Sequence, residues 1–392
     1  MENKDYIKRE SRRILKKFQE VRATGFSMGA TFIIALIILF NSYSLKTMTF
    51  NSAVFSAGVF YGVTAVLQLL IWLKMKKDIV ANKECPAGTR KLGIIMILLL
   101  FTGNIFAGIA GFLTVKKEKT IEYILSIYMT LITISVLFVS LINIFKPFVA
   151  NTFFIGMGLL IAVLVFDIVS MILISRMVSG KNVDPKLKWL GYVLVLTCVT
   201  GNIFGLILGL ILLTKIRRRG EKGIVEWIEV IRRIFRDNMA ALGFFVVIFL
   251  LSVSICSYLT FDYYVATEND YSALLLSPSI VYPFGTDNYG RCVFTRIIFG
   301  ARISLVVGML STAMPIVIGG VLGAVTGFYG GKIDNAIMRV LDILYAVPGI
   351  LLAIAIVAAF GANTFNLILA LSLGNVPVYA RTVRATVMGL SS

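Results

Sequence analysis

The feature that most constrains this chain is a succession of long apolar runs. A run of about 20 apolar residues is long enough to cross a lipid bilayer as a helix. Ten runs are predicted to do so, at about 25–40, 52–73, 92–115, 121–145, 152–175, 189–213, 239–258, 303–328, 343–360 and 364–380. With 58% apolar and 15% charged residues, the sequence predicts an all-α polytopic membrane protein of about ten transmembrane helices.

The positive charge follows the membrane pattern. The formal net charge is +18, and Lys and Arg concentrate in residues 1–24, 74–91 and 215–236, which is typical of cytoplasmic flanks. A lipid bilayer is the expected partner of these flanks, and nucleic acid is not expected. No cleavable signal sequence is recognised in the first 22 residues. We therefore expect a multi-pass protein of a bacterial plasma (inner) membrane with a cytoplasmic N-terminus.

The first six runs contain an internal repeat. Thr102-Gly-Asn-Ile-Phe106 recurs 98 residues later as Thr200-Gly-Asn-Ile-Phe204. We interpret 25–117 and 121–215 as two copies of a three-helix unit. Because three spans are an odd number, the copies are expected to have opposite orientations. The basic loop after the fifth run fits that arrangement poorly.

The repeated motif suggests how its helices pack. It opens a stripe of small residues four apart, which is expected to pack the two copies against each other: Gly103, Ala107 and Gly111 in the first copy and Gly201, Gly205 and Gly209 in the second. Asn104 and Asn202 are expected to make interhelical hydrogen bonds, with a substrate path as the alternative. An independent transporter or sensor is a further interpretation of 25–215, a region in which no family is recognised.

Composition shifts divide the chain into four parts. Residues 1–24 form a basic cytoplasmic or interfacial tail, and 25–215 form a six-helix membrane region. Residues 216–238 form a basic interfacial linker, in which 224–236 has the apolar spacing of an amphipathic helix. Residues 239–392 form a second membrane region.

A polar motif separates the seventh and eighth runs. It reads Tyr282-Pro-Phe-Gly-Thr-Asp-Asn-Tyr-Gly-Arg-Cys-Val-Phe-Thr-Arg296 and is followed by Gly300-Ala-Arg-Ile-Ser-Leu305. Thr, Asp and Asn at 286–288 are residue types that cap helices, so a short amphipathic helix is predicted to begin there, on the membrane surface. On that helix Asp287 and Arg291 would form an ion pair.

This motif closely resembles the segment between the first two transmembrane helices of the C-type permease subunit of oligopeptide, dipeptide and nickel ABC importers. The resemblance to these binding-protein-dependent transport components covers about 225–391. It departs at Cys292, where the family usually has Asp. The resemblance implies an outer-gate or docking motif made of Phe284, Gly285, Thr286, Asp287, Gly290, Arg291 and Arg302.

The same resemblance continues into Gly327-Phe-Tyr-Gly-Gly-Lys-Ile-Asp334 and Met338-Arg-Val-Leu-Asp342. It implies a cytoplasmic turn containing Gly330, Gly331, Asp334, Arg339 and Asp342, although a capped helical hairpin without a partner is an equal alternative. Arg339 and Asp342 are expected to neutralise each other. Gly319, Gly323 and Gly327 are four residues apart, which predicts close helix packing.

The resemblance implies a permease subunit of an ABC importer that moves peptides, or a related small solute such as nickel. Its implied partners are a second permease subunit, two ATPase subunits and an extracytoplasmic substrate-binding protein. No phosphate-binding Gly-x-x-x-x-Gly-Lys-Ser/Thr motif occurs, so ATP use is expected in the partners, with no cofactor and no enzyme activity on this chain. Because His is absent and no Cys-x-x-Cys occurs, no metal site is expected.

The sequence also leaves an alternative function open. It ends at Ser392, before the position of the family's Glu-Ala-Ala coupling loop, and resembles the first four helices of a six-helix permease behind an extra region. The alternative is therefore a truncated or split permease fragment that acts as a membrane scaffold or accessory protein without transport activity of its own.

Overall fold

The computed structural model describes residues 10–391 except 12, 45–47, 147, 181 and 219–225. Parts of the predicted basic tail and linker lie outside the described residues. The chain forms two compact units, Met1–Phe261 and Asp262–Ser392. The helix over Asn238–Thr260, which the sequence analysis grouped with the second membrane region, belongs to the first of these units.

The first unit repeats one succession of two long helices and two short ones. The first set is α1 (Gln19–Asn41), α2 (Ser52–Asn82), α3 (Ala87–Leu98) and α4 (Ile105–Val115). The second set is α5 (Ile121–Leu141), α6 (Phe153–Met177), α7 (Lys188–Leu196) and α8 (Ile203–Arg217). The unit ends with α9 (Glu226–Arg236) and α10 (Asn238–Thr260). Two-residue strands pair at two turns, Tyr43–Ser44 with Thr49–Phe50 and Val178–Ser179 with Asn182–Val183.

The third apolar run is broken into a helical hairpin. A 3-10 turn at Leu99–Thr102 leads to Gly103, whose φ of +80° reverses the chain before α4 begins. The helices α3 and α4 then pack so closely that a Cβ on Gly111 would lie 2.7 Å from the Gly93 carbonyl oxygen. Glycine is therefore needed both at the turn and at the helix contact.

The sixth run is broken in the same way. After the 3-10 turn Thr197–Thr200, Gly201 has a φ of +76°, and α8 returns alongside α7. A Cβ on Gly209 would lie 2.7 Å from the Gly191 carbonyl oxygen. Gly111 and Gly209, at the far end of the two small-residue stripes, therefore pack the two arms of each hairpin together. The prediction that these stripes join the two copies is wrong.

The hairpins change the number of spans. Within the described residues, six helices are long and apolar enough to cross a membrane, or seven if one bent pair counts as a span. The predicted all-α polytopic class is confirmed, but about ten spans were expected. Runs 92–115 and 189–213 are hairpins, in which a Gly-Asn turn reverses the backbone within a run that is apolar on both sides of the turn.

Each hairpin starts and finishes at the same end of the unit. Lys117 follows the first hairpin and Glu84 precedes it, yet Lys117 Nζ lies 3.9 Å from Glu84 Oε2. Each set of helices therefore contains two spans instead of three. An even number of spans gives the two sets the same orientation, so the expected opposite orientation is wrong.

The hairpin tips are fixed by equivalent hydrogen bonds. Asn104 Nδ2 donates to Thr31 Oγ1 at 2.8 Å, and Asn202 Nδ2 donates to the Met129 carbonyl oxygen at 3.0 Å. Both bonds join residues 73 positions apart. Both Asn side chains are buried and bind a neighbouring long helix, which is the interhelical role predicted for them.

Buried ion pairs hold the other end of each hairpin. Lys119 follows the first hairpin and lies 3.0 Å from Glu20, at the start of α1. Lys215 lies in the last turn of α8, with Nζ 2.5 Å from Glu122 Oε1, at the start of α5. Each returning arm is thereby fixed to the first long helix of its own set.

The second unit is built around one very long helix. Its helices are α11 (Tyr264–Thr267), α12 (Val293–Tyr329), α13 (Gly331–Ala346), α14 (Gly349–Phe360) and α15 (Thr364–Ser391). The predicted span 343–360 is not one straight helix, because α13 and α14 meet at an angle of 88°. Pro348 precedes α14 and cannot continue the helical hydrogen bonding of α13.

Candidate functional site

The motif at 282–296, which we call the polar corner, is a compact loop. Thr286 and Cys292 form an antiparallel bridge, and α12 begins only at Val293. The predicted helix at 286–288 is therefore wrong. The backbone at Gly285 and Gly290 has φ values of +71° and +75°, which favour turns and exclude a right-handed helix.

Asp287 is the centre of the polar corner. Its Oδ1 accepts hydrogen bonds from the backbone N–H groups of Tyr289 at 2.9 Å and Arg291 at 3.0 Å. Its Oδ2 accepts from Arg291 Nε at 2.9 Å and also from the guanidinium of Arg296. The predicted Asp287–Arg291 pair is present, but it closes a turn instead of lying along a helix.

Arg296 is a partner of Asp287 that the sequence analysis missed. It lies in the first turn of α12 and so joins the corner to the long helix. The one signal for Arg296 in the sequence was its position as the last residue of the polar motif. Arg302, which the resemblance implies as part of the motif, lies further along α12, with its guanidinium 4.5 Å from the ring centre of Phe299.

The remaining corner residues close the loop. Thr286 Oγ1 donates to the Ala273 carbonyl at 2.5 Å and accepts from the Leu276 N–H at 2.7 Å. The ring of Phe284 packs edge-on against Phe294, with 5.4 Å between centroids. Cys292 is completely buried, and this position holds a small thiol side chain where the resembling family usually has a carboxylate.

The hydrogen bonds set the charge state of Asp287. Partial burial acts to raise its pKa, but the bonds from the N–H groups of Arg291 and Tyr289 and from the Arg291 side chain outweigh it. The pKa of Asp287 therefore lies below its ordinary value of 3.8. At neutral pH the carboxylate is fully charged and holds both arginines.

The lowered pKa predicts how the corner responds to acid. Its contribution to stability is present above the unfolded-state pKa and is lost as the pH falls through the lower folded-state pKa. We expect Asp287→Asn to weaken protection of the 289–291 amides by about tenfold (~1.4 kcal/mol) near pH 6 and by progressively less below pH ~4. Hydrogen exchange, corrected for intrinsic rates, measures this; an effect of constant size down to pH 3 would contradict it.

The predicted cytoplasmic turn joins α12 to α13. Gly330 and Gly331 both have positive φ, at +59° and +56°. Asp334, in the first turn of α13, is buried and accepts two hydrogen bonds from Arg384, from Nε at 2.7 Å and from an η nitrogen at 2.6 Å. This two-pronged pair fixes α13 against α15.

Asp342 is also bound from α15. Arg381 lies 2.5 Å from Asp342 Oδ1 and 4.4 Å from the ring centre of Tyr345. Arg339 is exposed, and in the described part of the chain no ion pair joins it to Asp342, so the expected Arg339–Asp342 pair is wrong. Local spacing predicted Arg339 as the partner of Asp342, whereas the fold supplies Arg381, which is 39 residues away from Asp342.

Three glycines form the contact face of α12. Cβ atoms on Gly319 and Gly327 would lie 2.7 Å from the Val376 carbonyl and 2.9 Å from Val387 Cβ. A Cβ on Gly323 would overlap the Ala380 carbonyl oxygen. The helices α12 and α15 therefore touch backbone to backbone along this face.

The contact predicts opposite results for neighbouring glycines. Gly323→Ala should destabilise the second unit by ~1–3 kcal/mol, because the added methyl group overlaps the backbone of α15. Gly320→Ala, with nothing within 4 Å of its Cβ, should be neutral or stabilising by up to ~1 kcal/mol. Thermal unfolding of the purified variants in detergent checks this; equal losses would exclude the backbone contact.

Comparison with known proteins finds similarity in the C-terminal region of the chain. Residues 316–390 match the family described as "Binding-protein-dependent transport system inner membrane component". The chain is 39% identical over 168 residues to the dipeptide transport system permease protein DppC of Alkalihalophilus pseudofirmus, which is 43% of this chain and 55% of that protein.

Two glutathione transport system permease proteins GsiD match to a similar extent. The chain is 37% identical over 164 residues to the protein of Pectobacterium atrosepticum, covering 42% of this chain and 54% of that protein. It is 40% identical over 164 residues to the protein of Escherichia coli, with the same coverage of 42% and 54%. The chain spans about half the length of the curated relatives it matches.

Proposed function

We propose that this chain is a permease subunit of a peptide-class ABC importer. The premise is that its C-terminal region carries a domain of the binding-protein-dependent transport family. The match of residues 316–390 carries this proposal. The names of the relatives, dipeptide and glutathione permeases, favour short peptides as the substrate class. The comparisons do not favour the alternative of a scaffold without transport activity.

In this proposal the chain works in an assembly. Its partners are a second permease subunit, two ATPase subunits that bind and hydrolyse ATP, and an extracytoplasmic substrate-binding protein. Residues 239–392 are part of the permease domain, residues 25–215 are a duplicated membrane region, and 216–238 link the two. The chain itself binds no cofactor and supplies no catalytic group.

The geometry of the second unit suits an alternating-access role. The glycine face brings α12 and α15 into backbone contact with no side chain of α12 between them, while Arg384 and Arg381 join α13 to α15. The polar corner is fixed by Asp287 to the start of α12. A displacement of the polar corner, such as one caused by docking of a binding protein, would therefore be transmitted directly to α12.

The hairpins support a simple orientation in the membrane. With two spans in each set, 29 of the 31 Lys and Arg between residues 1 and 236 fall on one side, and only Lys46 and Lys146 fall on the other. Three spans in each set would divide them 23 to 8. The positive-inside rule then gives a cytoplasmic N-terminus and an outward-facing polar corner.

Uptake and co-isolation test the proposed function together. Deleting the gene should abolish uptake of a labelled dipeptide or of glutathione, and affinity isolation from native membranes should recover two ATPases and a second permease. The Gly320→Ala variant, expressed to the same level, should restore uptake. Unchanged uptake after deletion, with no ATPase recovered, would contradict the proposal and favour the scaffold.

A further inference from the structure

The first unit contains an open cavity of about 790 Å³ where α1 and α10 begin. Four cationic side chains line it: Lys16, Arg22, Arg233 and Arg236. The one acidic side chain in the lining, Asp237, is used within the fold, because its Oδ1 accepts the N–H of Met239 at 2.9 Å and caps α10. The cavity is therefore strongly basic.

The charge of this cavity is not neutralised by the described protein. All four cationic residues are exposed, and none of them has a carboxylate partner in the part of the chain that the structure describes. Elsewhere in the same unit, Lys119 and Lys215 are each paired with a buried Glu. Four clustered cations without acidic partners favour an anionic ligand.

The other walls of the cavity are apolar and lie where the apolar helices begin. Leu15, Val21 and Gly25 contribute to the lining, together with Trp72. The Trp72 indole N–H donates to the Val21 carbonyl at 3.0 Å, and Lys76 Nζ lies 4.0 Å from the centre of its ring. A Trp held beside Lys near the ends of apolar helices is typical of the headgroup level.

We propose that this cavity binds the phosphate headgroup of an anionic phospholipid, with the start of its acyl chains against the apolar wall. A free phosphate would share the cations, but it has no apolar part to place against the apolar wall at the ends of two spans. The proposal rests on the membrane fold alone and does not require transport activity.

Native mass spectrometry of the delipidated full chain in detergent tests the site, with phosphatidylglycerol, cardiolipin and phosphatidylcholine as probes. Wild type should retain the two anionic lipids in preference to phosphatidylcholine. Arg233→Gln with Arg236→Gln should weaken anionic lipid binding by about 25-fold, since each cation contributes about a factor of five. Lys186→Gln with Lys188→Gln removes two exposed cations outside the cavity and should change binding less than twofold.

Two further measurements keep the test decisive if the variant that carries Arg233→Gln and Arg236→Gln folds poorly. Arg233→Lys with Arg236→Lys keeps the charge and should keep most of the binding, and binding to wild type should fall steeply as salt is raised. Equal retention of phosphatidylcholine, an equal loss in the Lys186 and Lys188 control, or displacement of the lipid by millimolar inorganic phosphate would each overturn the proposal.

Discussion

Replacing Gly290 with Ala should open the polar corner and expose the thiol of Cys292. The φ of Gly290 is +75°, and an added Cβ would overlap the carbonyl oxygen of Asp270. The left-handed backbone alone costs ~1–2 kcal/mol for a residue with a side chain, and the overlap forces a backbone shift, so we expect a loss of ~3 kcal/mol or more. Maleimide labelling of Cys292, which is completely buried, measures the opening directly.

A neighbouring glycine supplies the control for this experiment. Gly300→Ala, on α12, has nothing within 4 Å of its new Cβ and should leave Cys292 shielded. Peptide mass spectrometry separates labelling of Cys292 from that of the other three cysteines. Persistent shielding of Cys292 in Gly290→Ala would mean that the corner does not approach Asp270 as described.

Replacing Lys215 with Met should destabilise the first unit by ~3–5 kcal/mol, because the carboxylate of Glu122 would remain buried without its ion partner. Glu122 is fully buried, and Lys215 Nζ at 2.5 Å is the only partner recorded for its carboxylate among the described residues. The second hairpin should then loosen at its base. Chemical denaturation in detergent measures the loss.

A double variant distinguishes charge from packing in this pair. Lys215→Met combined with Glu122→Gln removes both charges and should recover more than half of the loss. Arg232→Met breaks the more exposed pair with Glu229 and should cost less than ~1 kcal/mol. A double variant as unstable as Lys215→Met alone would assign the effect to packing.

The class of the fold could be predicted because long apolar runs leave few alternatives in lipid. The hairpins could not be predicted from hydropathy, since the turns at Gly103 and Gly201 are made by small residues inside runs that remain apolar. The repeated Thr-Gly-Asn-Ile-Phe did mark both turns, but a glycine in an apolar run indicates close packing as readily as a reversal.

The candidate site was only partly predictable for a related reason. The pair between Asp287 and Arg291 follows from local spacing, although the backbone that carries it does not. Arg384 reaches Asp334 across 50 residues, and no local pattern in the sequence selects it over Arg339. Spacing predicts contacts within one element, whereas contacts between elements depend on how those elements pack.

The most direct test of the whole account is the side of the membrane on which Lys117 lies. Single cysteines would be placed at Glu84, Lys117 and Tyr289 in a chain freed of its reactive cysteines, and intact cells would be treated with a thiol reagent that cannot cross the membrane. We predict labelling at position 289 in intact cells, and labelling at 84 and 117 only after permeabilisation. Labelling at position 117 but not at 84 in intact cells would make the third apolar run a span and contradict the account.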